Sequence, residues 1–346
     1  MKQPMLGDLT RAAVAVVTGF LVLFLGLAAS GYDASAAMVA MLHGAFGTSD
    51  AILSALLPRA IPLIIVGLAV GLAFRAGALN IGAEGQFYAG AIAATWIGLG
   101  LAAWSRPLAI PVVLAAGLIA GCLWATIPAI LRLRFGVLEV ISTLLLNFVA
   151  DALVSWMVLG PLQESTHIYP QSNPLPASAR LPALAGTRLH LGLALALALA
   201  FGLWVFERQT LAGFQLRATG ENPRAASVIG RVRTQRVFGL ALLGSGALAG
   251  LAGSIEVSGT TFALFQNLSP GYGFTAIAVA LLARLHPLAT ILTGLLFAAI
   301  EAGASAMQRE AGVPAVAVYM VEAAITIVVL LADVLRRRNV AAAMGT

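Results

Sequence analysis

Charge is scarce in this chain, and reactive side chains are scarcer. Only 10% of its 346 residues are charged, against about 25% in soluble domains. Cys122 is the single cysteine and lies in an apolar run, which excludes an intrachain disulfide and a cysteine-cluster metal site. His43, His167, His190 and His286 are scattered without metal-ligand spacing, so no metal is expected. Lys2 is the single lysine, and no glycine loop ends in Lys-Ser or Lys-Thr, so the chain has no P-loop for phosphate. No nucleophile is clustered with a base, and no catalytic residue is expected. The formal charge of +6 does not point to nucleic acid. No basic patch is interleaved with aromatics, and the arginines gather at the ends of apolar runs, as topology requires.

Hydrophobic residues make up 60% of the chain and the mean hydropathy is +0.96. Those values fit a multi-spanning membrane protein, in which each helical span needs roughly 20 apolar residues. Apolar runs bounded by charge or by Pro and Gly predict an all-α chain of about ten transmembrane helices. They fall over 11–30, 58–74, 80–101, 107–131, 137–159, 189–206, 236–258, 272–284, 287–307 and 313–335. The eighth is short for a crossing, and the polar 75–90 region predicts a broken or re-entrant helix. The first run, preceded by Lys2 and Arg11, is longer than the h-region of a signal peptide and reads as an uncleaved first span. With the N-terminus inside, alternation of the ten helices puts 15 of the 20 Lys and Arg residues on the cytoplasmic side. The positive-inside rule therefore predicts that both termini are cytoplasmic. Residues 1–346 then form a single transmembrane domain without a soluble one. The Pro- and Ser-rich loop 160–188 lies outside, and the loop 207–236 lies inside.

That inner loop carries six arginines and a helix signal. Asn222 can cap free N–H groups, Pro223 suits a first helical position, and Gly230 is a natural stop. The segment PRAASVI between them makes about two turns, with Ala225 and Ala226 as a small face for close packing. Either the loop is a docking surface for a soluble partner, or it is a solvated basic loop that fixes topology.

Polar residues inside the spans are costly and so are functional candidates. Asn80, Glu84 and Gln86 stand among Gly77, Gly82 and Gly85, where a kink or unwound turn is allowed. They line a solute pathway, or they belong to a broken helix packed on its neighbours. Glu139, Thr143 and Asn147 recur every fourth residue on one helical face, with Ser142 beside them. They line the route at different depths, or they make hydrogen bonds between helices. Glu139 is alternatively a gate residue or half of a structural ion pair. Asp151, Glu256, Glu301 and Glu322 are further acids in apolar runs, and structural pairing or a proton relay would use them. Gly246 and Gly250 form a GxxxG with Gly253 beyond, a signal for close helix packing and for a subunit interface.

Four segments together carry a family resemblance. FRAGALNIGAEGQFYAG (Phe74 to Gly90), GVLEVISTLLLNFVA (Gly136 to Ala150), RATGENPRAASVIG (Arg217 to Gly230) and GYGFTAIAVALLAR (Gly271 to Arg284) occur in this order. They resemble the blocks of ABC importer permeases of the simple-sugar and nucleoside group, and most of all the longer permease of the nucleoside-type pair. The resemblance covers roughly residues 55–335. It implies a bacterial cytoplasmic (inner) membrane protein working with an ABC ATPase, a second and different permease, and an extracytoplasmic solute-binding protein. ATP and Mg would be held by the ATPase, with no cofactor in this chain. Arg217, Gly220, Glu221, Asn222, Pro223, Ala225, Ala226 and Gly230 would form the coupling segment seated in the ATPase. The substrate would be a nucleoside or related small polar solute, with simple sugars as the alternative. A proton-coupled carrier using Glu84 or Glu322 is the competing mechanism, but it leaves the capped basic loop unexplained. A change that breaks the mini-helix region, Gly220→Pro, is expected to uncouple uptake from ATP hydrolysis without loss of insertion. Solute uptake by a stably expressed variant measures this.

Overall fold

The computed structural model describes residues 4–228 and 232–314, and positions 319, 323 and 327. It is all-helical, and among the described residues no strand forms beyond two isolated bridges, Gln171 with Phe265 and Ala183 with His190. The chain begins with α1 (Pro4–Ala29) and α2 (Ala34–Phe46). A π-helical turn (Ala51–Leu56) leads into α3 (Leu57–Arg75). Then follow α4 (Ala83–Leu99), α5 (Arg106–Phe135), α6 (Glu139–Val158) and α7 (Gly192–Gln209). Two short helices, α8 (Leu211–Glu221) and α9 (Pro223–Val228), precede α10 (Thr234–Glu256), which ends in a π-helical turn (Val257–Thr261). The described helices close with α11 (Tyr272–Leu282) and α12 (Pro287–Ala311).

Among the described residues, six helices are long and apolar enough to cross a membrane: Ala51–Arg75, Arg106–Phe135, Glu139–Val158, Gly192–Gln209, Thr234–Thr261 and Pro287–Ala311. Each matches a predicted span. The predicted span 80–101 starts later, because residues 76–82 are not helical and α4 begins at Ala83. The eighth is as short as expected, 11 residues in α11. The tenth, 313–335, lies almost wholly outside the described residues. The sequence reading did not include α2. Its 13 residues rise only about 20 Å, too little for a crossing signal. Asp33 starts it, accepting a hydrogen bond from Ala36 N at 2.9 Å.

The chain divides into two compact units, residues 1–59 with 296–346, and residues 60–295. In the first, α2 and α12 approach so closely that a Cβ on Gly44 would strike Ala306, and one on Gly303 would strike Met41. Arg59 donates there to Ala55 O at 3.0 Å and to Ser305 Oγ at 3.4 Å.

In the second unit, α4 is buried along nearly its whole length, so it shows no amphipathic pattern in sequence. Small residues let its neighbours approach. A Cβ on Gly90 of α4 would run into the backbone of Gly250 on α10, and one on Gly253 would run into Phe87. On the other side, Gly117 and Gly121 of α5 meet Gly250 and Gly246 backbone to backbone. The GxxxG of α10 therefore serves packing within the chain, against a second GxxxG on α5. The motif is filled by α4 and α5 of the same chain, not by a second subunit as the sequence suggested.

Contacts in this unit sort the connections into two ends. At one, Arg132 at the end of α5 pairs with Glu139 of α6 at 3.2 Å and lies over the Phe238 ring of α10. Arg75 at the end of α3 pairs with Glu207 of α7 at 3.5 Å. At the other, Arg106 Nε donates to Ala177 O at 3.2 Å and Ser178 Oγ to Leu101 O at 2.8 Å. Ser172 N and Leu175 N bond to Leu264 O and Phe262 O, both at 2.7 Å. The loop 160–188 is ordered there. The Glu164 carboxylate is held below its usual range by hydrogen bonds from Gln171, Thr166 and the backbone of Tyr169. His190, which sits against Gly259 and Thr260, has its imidazole pushed down to about 4 by burial.

The α4–α5–α10 contact leaves no room for a branched side chain. Gly250→Val is expected to cost about 1–3 kcal/mol by overpacking. A lower unfolding temperature in detergent checks it, with the exposed Gly202→Val, where a Cβ meets nothing within 4 Å, as the neutral control.

Candidate functional site

The helix α3 stops in a glycine cap. Gly77 adopts φ +80°, Gly77 N bonds to Phe74 O at 3.0 Å, and Ala78 N bonds to Ala73 O at 3.0 Å. This is the Schellman arrangement. The chain then runs without helix to Gly82, with Ala78, Asn80 and Gly82 buried and Leu79 exposed. Irregular backbone at membrane depth must find its partners inside the protein, and two asparagines provide them.

Asn80 is fully buried (0% exposed). Its Oδ1 accepts from Gly82 N at 3.0 Å and from Gln86 Nε2 at 3.1 Å. Its Nδ2 donates to Gln86 Oε1 and to Ser245 Oγ of α10, both at 2.8 Å. Asn147 reaches in from α6. Its Oδ1 accepts from Gly85 N at 2.8 Å and its Nδ2 donates to Ile81 O at 2.9 Å. One side chain thus satisfies both a carbonyl of the irregular segment and a free N–H in the first turn of α4. Glu84 extends the same hub to α11. Its carboxylate accepts from Gly273 N at 2.5 Å, at the N-terminal end of that helix. Ser269 caps α11 by accepting from Tyr272 N at 2.9 Å, and it also bonds to the Glu84 carboxylate.

The six residues expected to line a pathway are all buried. Asn80, Glu84, Gln86 and Asn147 come together as this hub. Ser142 and Thr143 do not join it by hydrogen bonds. Their hydroxyls donate back to Glu139 O of their own helix, at 3.2 and 2.7 Å. Glu139 forms an ion pair with Arg132, the structural role that its sequence position also allowed. Beside the hub lies an apolar cleft of about 520 Å³ between α4, α5 and α6, with Trp96 and Trp124 in its wall. Of the other acids, Glu256 is buried and accepts from Thr260 Oγ1 at 3.4 Å, Asp151 is exposed, Glu301 is half-buried, and Glu322 lies outside the described residues.

The basic loop holds two helices where one was predicted. The mini-helix is present as α9, and Asn222 Oδ1 accepts from Ala225 N at 3.0 Å with Pro223 at the first helical position. Ala226 is buried, Ala225 half-buried, and Gly230 lies outside the described residues. Arg217, Gly220 and Glu221 belong to the preceding helix α8, which sequence reasoning missed. Its signal was Thr210, whose hydroxyl accepts from Gly213 N at 3.0 Å. Gly220 is a contact point, since a Cβ there would collide with the carbonyl of Arg75. The outer face of the pair exposes Leu211, Phe214 and Val228, the last at 79%.

Fold and hub together define an all-helical, multi-pass membrane protein with a short-helix arm at one end. Residues 52–330 match the family described as branched-chain amino acid transport system / permease component. The chain is 38% identical to the glucose ABC transporter permease protein TsgB13 of Haloferax volcanii, over 85% of this chain and 80% of that protein. It is 35% identical to the guanosine ABC transporter permease protein NupP of Bacillus subtilis, over 94% and 93%. It is 31% identical to the nucleoside ABC transporter permease protein NupB of Lactococcus lactis, over 90% and 88%. The chain belongs to this permease family, and it is a membrane-spanning ABC transporter subunit, a transport component rather than an enzyme. Family membership implies an ATPase and a solute-binding protein as partners, and it decides against the proton-coupled carrier.

Replacing Asn147 with leucine strands the buried Gly85 N and the part-buried Ile81 O, and a buried group costs about 1–3 kcal/mol when unpaired. Asn147→Leu is expected to lower the unfolding temperature in detergent far more than Ser142→Ala, which removes only a bond within α6. Equal effects would mean that the hub does not hold the irregular segment.

Proposed function

We propose that this chain forms the translocation pathway of an importer for nucleosides or related small polar solutes, driven by ATP hydrolysis on a partner ATPase that alone holds ATP and Mg. The observation that carries the reading is the α8–α9 arm. A soluble partner is needed to cover Leu211, Phe214 and Val228, which stand exposed on a basic loop between spans. Arg224 of α9 is exposed beside them and suits an acidic partner surface.

The arm faces the cytoplasm in this reading. Arg75, Arg132, Arg134, Arg208, Arg217, Arg224, Arg233, Arg236 and Arg284 lie at its end of the second unit or in the loops there, against Arg106, Arg180 and Arg188 at the other. That asymmetry follows the positive-inside rule for a bacterial inner-membrane protein. It accords with ten crossings and cytoplasmic termini, and leaves α2 as a short segment that does not cross. The second permease is a different chain, as the paired names NupP and NupQ in Bacillus subtilis suggest for a relative. The hub residues Asn80, Glu84, Gln86 and Asn147 border the route. Their present bonds close it, and exchange of those bonds for solute would open it. Ser142 and Thr143 lie one turn away on the same helix.

A sugar substrate is the second reading, favoured by the 38% identity to a glucose permease. The test is gentle purification of the tagged chain from its native membrane, followed by uptake of labelled guanosine and glucose into proteoliposomes holding the recovered complex. Co-purification of an ATPase and a second permease, with ATP-dependent guanosine uptake, is expected. ATP-dependent glucose uptake alone would select the sugar. Uptake without ATP by a solitary protein would overturn the importer reading.

A further inference from the structure

We propose that Glu207 is a positioning residue that pins the α8–α9 arm to the end of α3, so that movement of the arm reaches the Asn80 hub. The inference rests on the importer reading and adds to it the residue through which the ATPase-facing helices act.

The arm meets the rest of its unit at three points. A Cβ on Gly213 would strike the backbone of Phe206 and Glu207 at the end of α7. Leu216 is buried in an apolar cluster with Ala76 and Ala241. Gly220 rests on the carbonyl of Arg75, with the Gly77 backbone against it. The first and third contacts converge on one carboxylate. Glu207 is 5% exposed. Its Oε2 lies 3.5 Å from Arg75 Nε, and the charges of Arg217 on α8 and Arg208 on α7 also act on it.

One acid therefore stands among three guanidinium groups drawn from α3, α7 and α8. Arg75 Nε and Arg217 Nη1 are buried atoms without a hydrogen-bond partner. What holds these cations near each other is the charge of Glu207 rather than a set of directed bonds. Without that charge, Arg75 and Arg217 repel across a poorly hydrated gap, and the arm loses its hold on α3. His286 also faces Arg75 and Arg208, and burial together with those charges keeps its imidazole below its usual range, so it adds little positive charge.

The route inward is short. Arg75 ends α3, Gly77 caps it, and Asn80 follows three residues later as the centre of the hub. The cap and the Asn80 bonds fix this stretch at both ends, so a shift of Arg75 is passed to Asn80 instead of being absorbed.

The test uses the whole importer in proteoliposomes, with ATP hydrolysis and solute uptake measured on the same samples. Glu207→Gln is expected to retain the co-purifying ATPase and hydrolysis within about twofold, while uptake per ATP falls about tenfold or more, within the usual range of coupling free energies. The reversed pair Arg75→Glu with Glu207→Arg should recover part of that ratio. Arg217→Gln, at a half-exposed position, removes one cation while keeping the acid. It should lower the ratio less, and it decides the matter if Glu207→Gln fails to insert. An unchanged ratio overturns the proposal. So does a parallel loss of hydrolysis and uptake that the reversed pair does not repair, since that marks a merely structural ion pair. A wild-type complex whose uptake does not depend on ATP would instead refute the importer reading itself.

Discussion

Lipid offers no hydrogen bonds, so a protein that breaks a helix inside the membrane must answer each freed backbone group itself. The whole site follows from that constraint. Residues 76–82 leave helix with Ala78, Asn80 and Gly82 buried, and the break is tolerated because Asn80, Asn147 and the Gly77 cap supply the partners. The bonds come from four directions: within the segment, from Gln86 on α4, from α6, and from Ser245 on α10. Helices that do not follow one another in sequence are thereby fixed to one short stretch of chain. A membrane helix in the same place would have satisfied its backbone alone and would have held nothing else.

Packing makes the hub possible. Asparagine and serine side chains are short, so they can bridge helices only if the backbones lie close. The small residues of α4, α5 and α10 allow that approach, and the resulting contact is backbone against backbone at Gly90, Gly121, Gly246 and Gly250. The same closeness limits what can move. Such contacts hold the bundle backbone against backbone, whereas the segment 76–82 is held through side-chain bonds.

Much of this was legible in the sequence, and the gaps have physical reasons. Long apolar runs marked six spans because membrane burial leaves a strong compositional trace. The polar 75–90 stretch announced a broken helix, since glycine and amide residues are costly there without a purpose. Asn222 and Pro223 marked α9 by local capping chemistry, which needs no tertiary knowledge. By contrast α8 was hidden, because its cap Thr210 is an ordinary residue in a polar loop and its packing depends on distant Arg75. Ser245 gave no sign of its role, as nothing local distinguishes one serine in a glycine-rich helix. The GxxxG of α10 was read correctly as a contact but not for its partner, because a small-residue stripe shows that something approaches without saying what. The acids divided in the same way. Glu139 sits seven residues from Arg132 in sequence, across one short connection, so its pairing was legible, whereas Glu207 meets Arg75 across 132 residues and was not.

A transporter needs two states of comparable stability that a partner can exchange. Rigid helices alone do not provide them, and a flexible loop provides too many. The segment between Arg75 and Gly82 lies between these limits. Its bonds are numerous enough to define one arrangement, yet several join groups that have alternatives. Asn80 and Gln86 pair amide to amide, and each could bond instead to a hydroxylated solute or to the backbone of a rebuilt turn, since an amide offers both donor and acceptor. A charged residue in the same position would make such an exchange far more costly. The chemistry at the two ends of the segment is accordingly different. In the proposed importer, the amides of Asn80, Gln86 and Asn147 would be where bonds are exchanged beside the carboxylate of Glu84, and the ion cluster around Glu207 would be where a force is received.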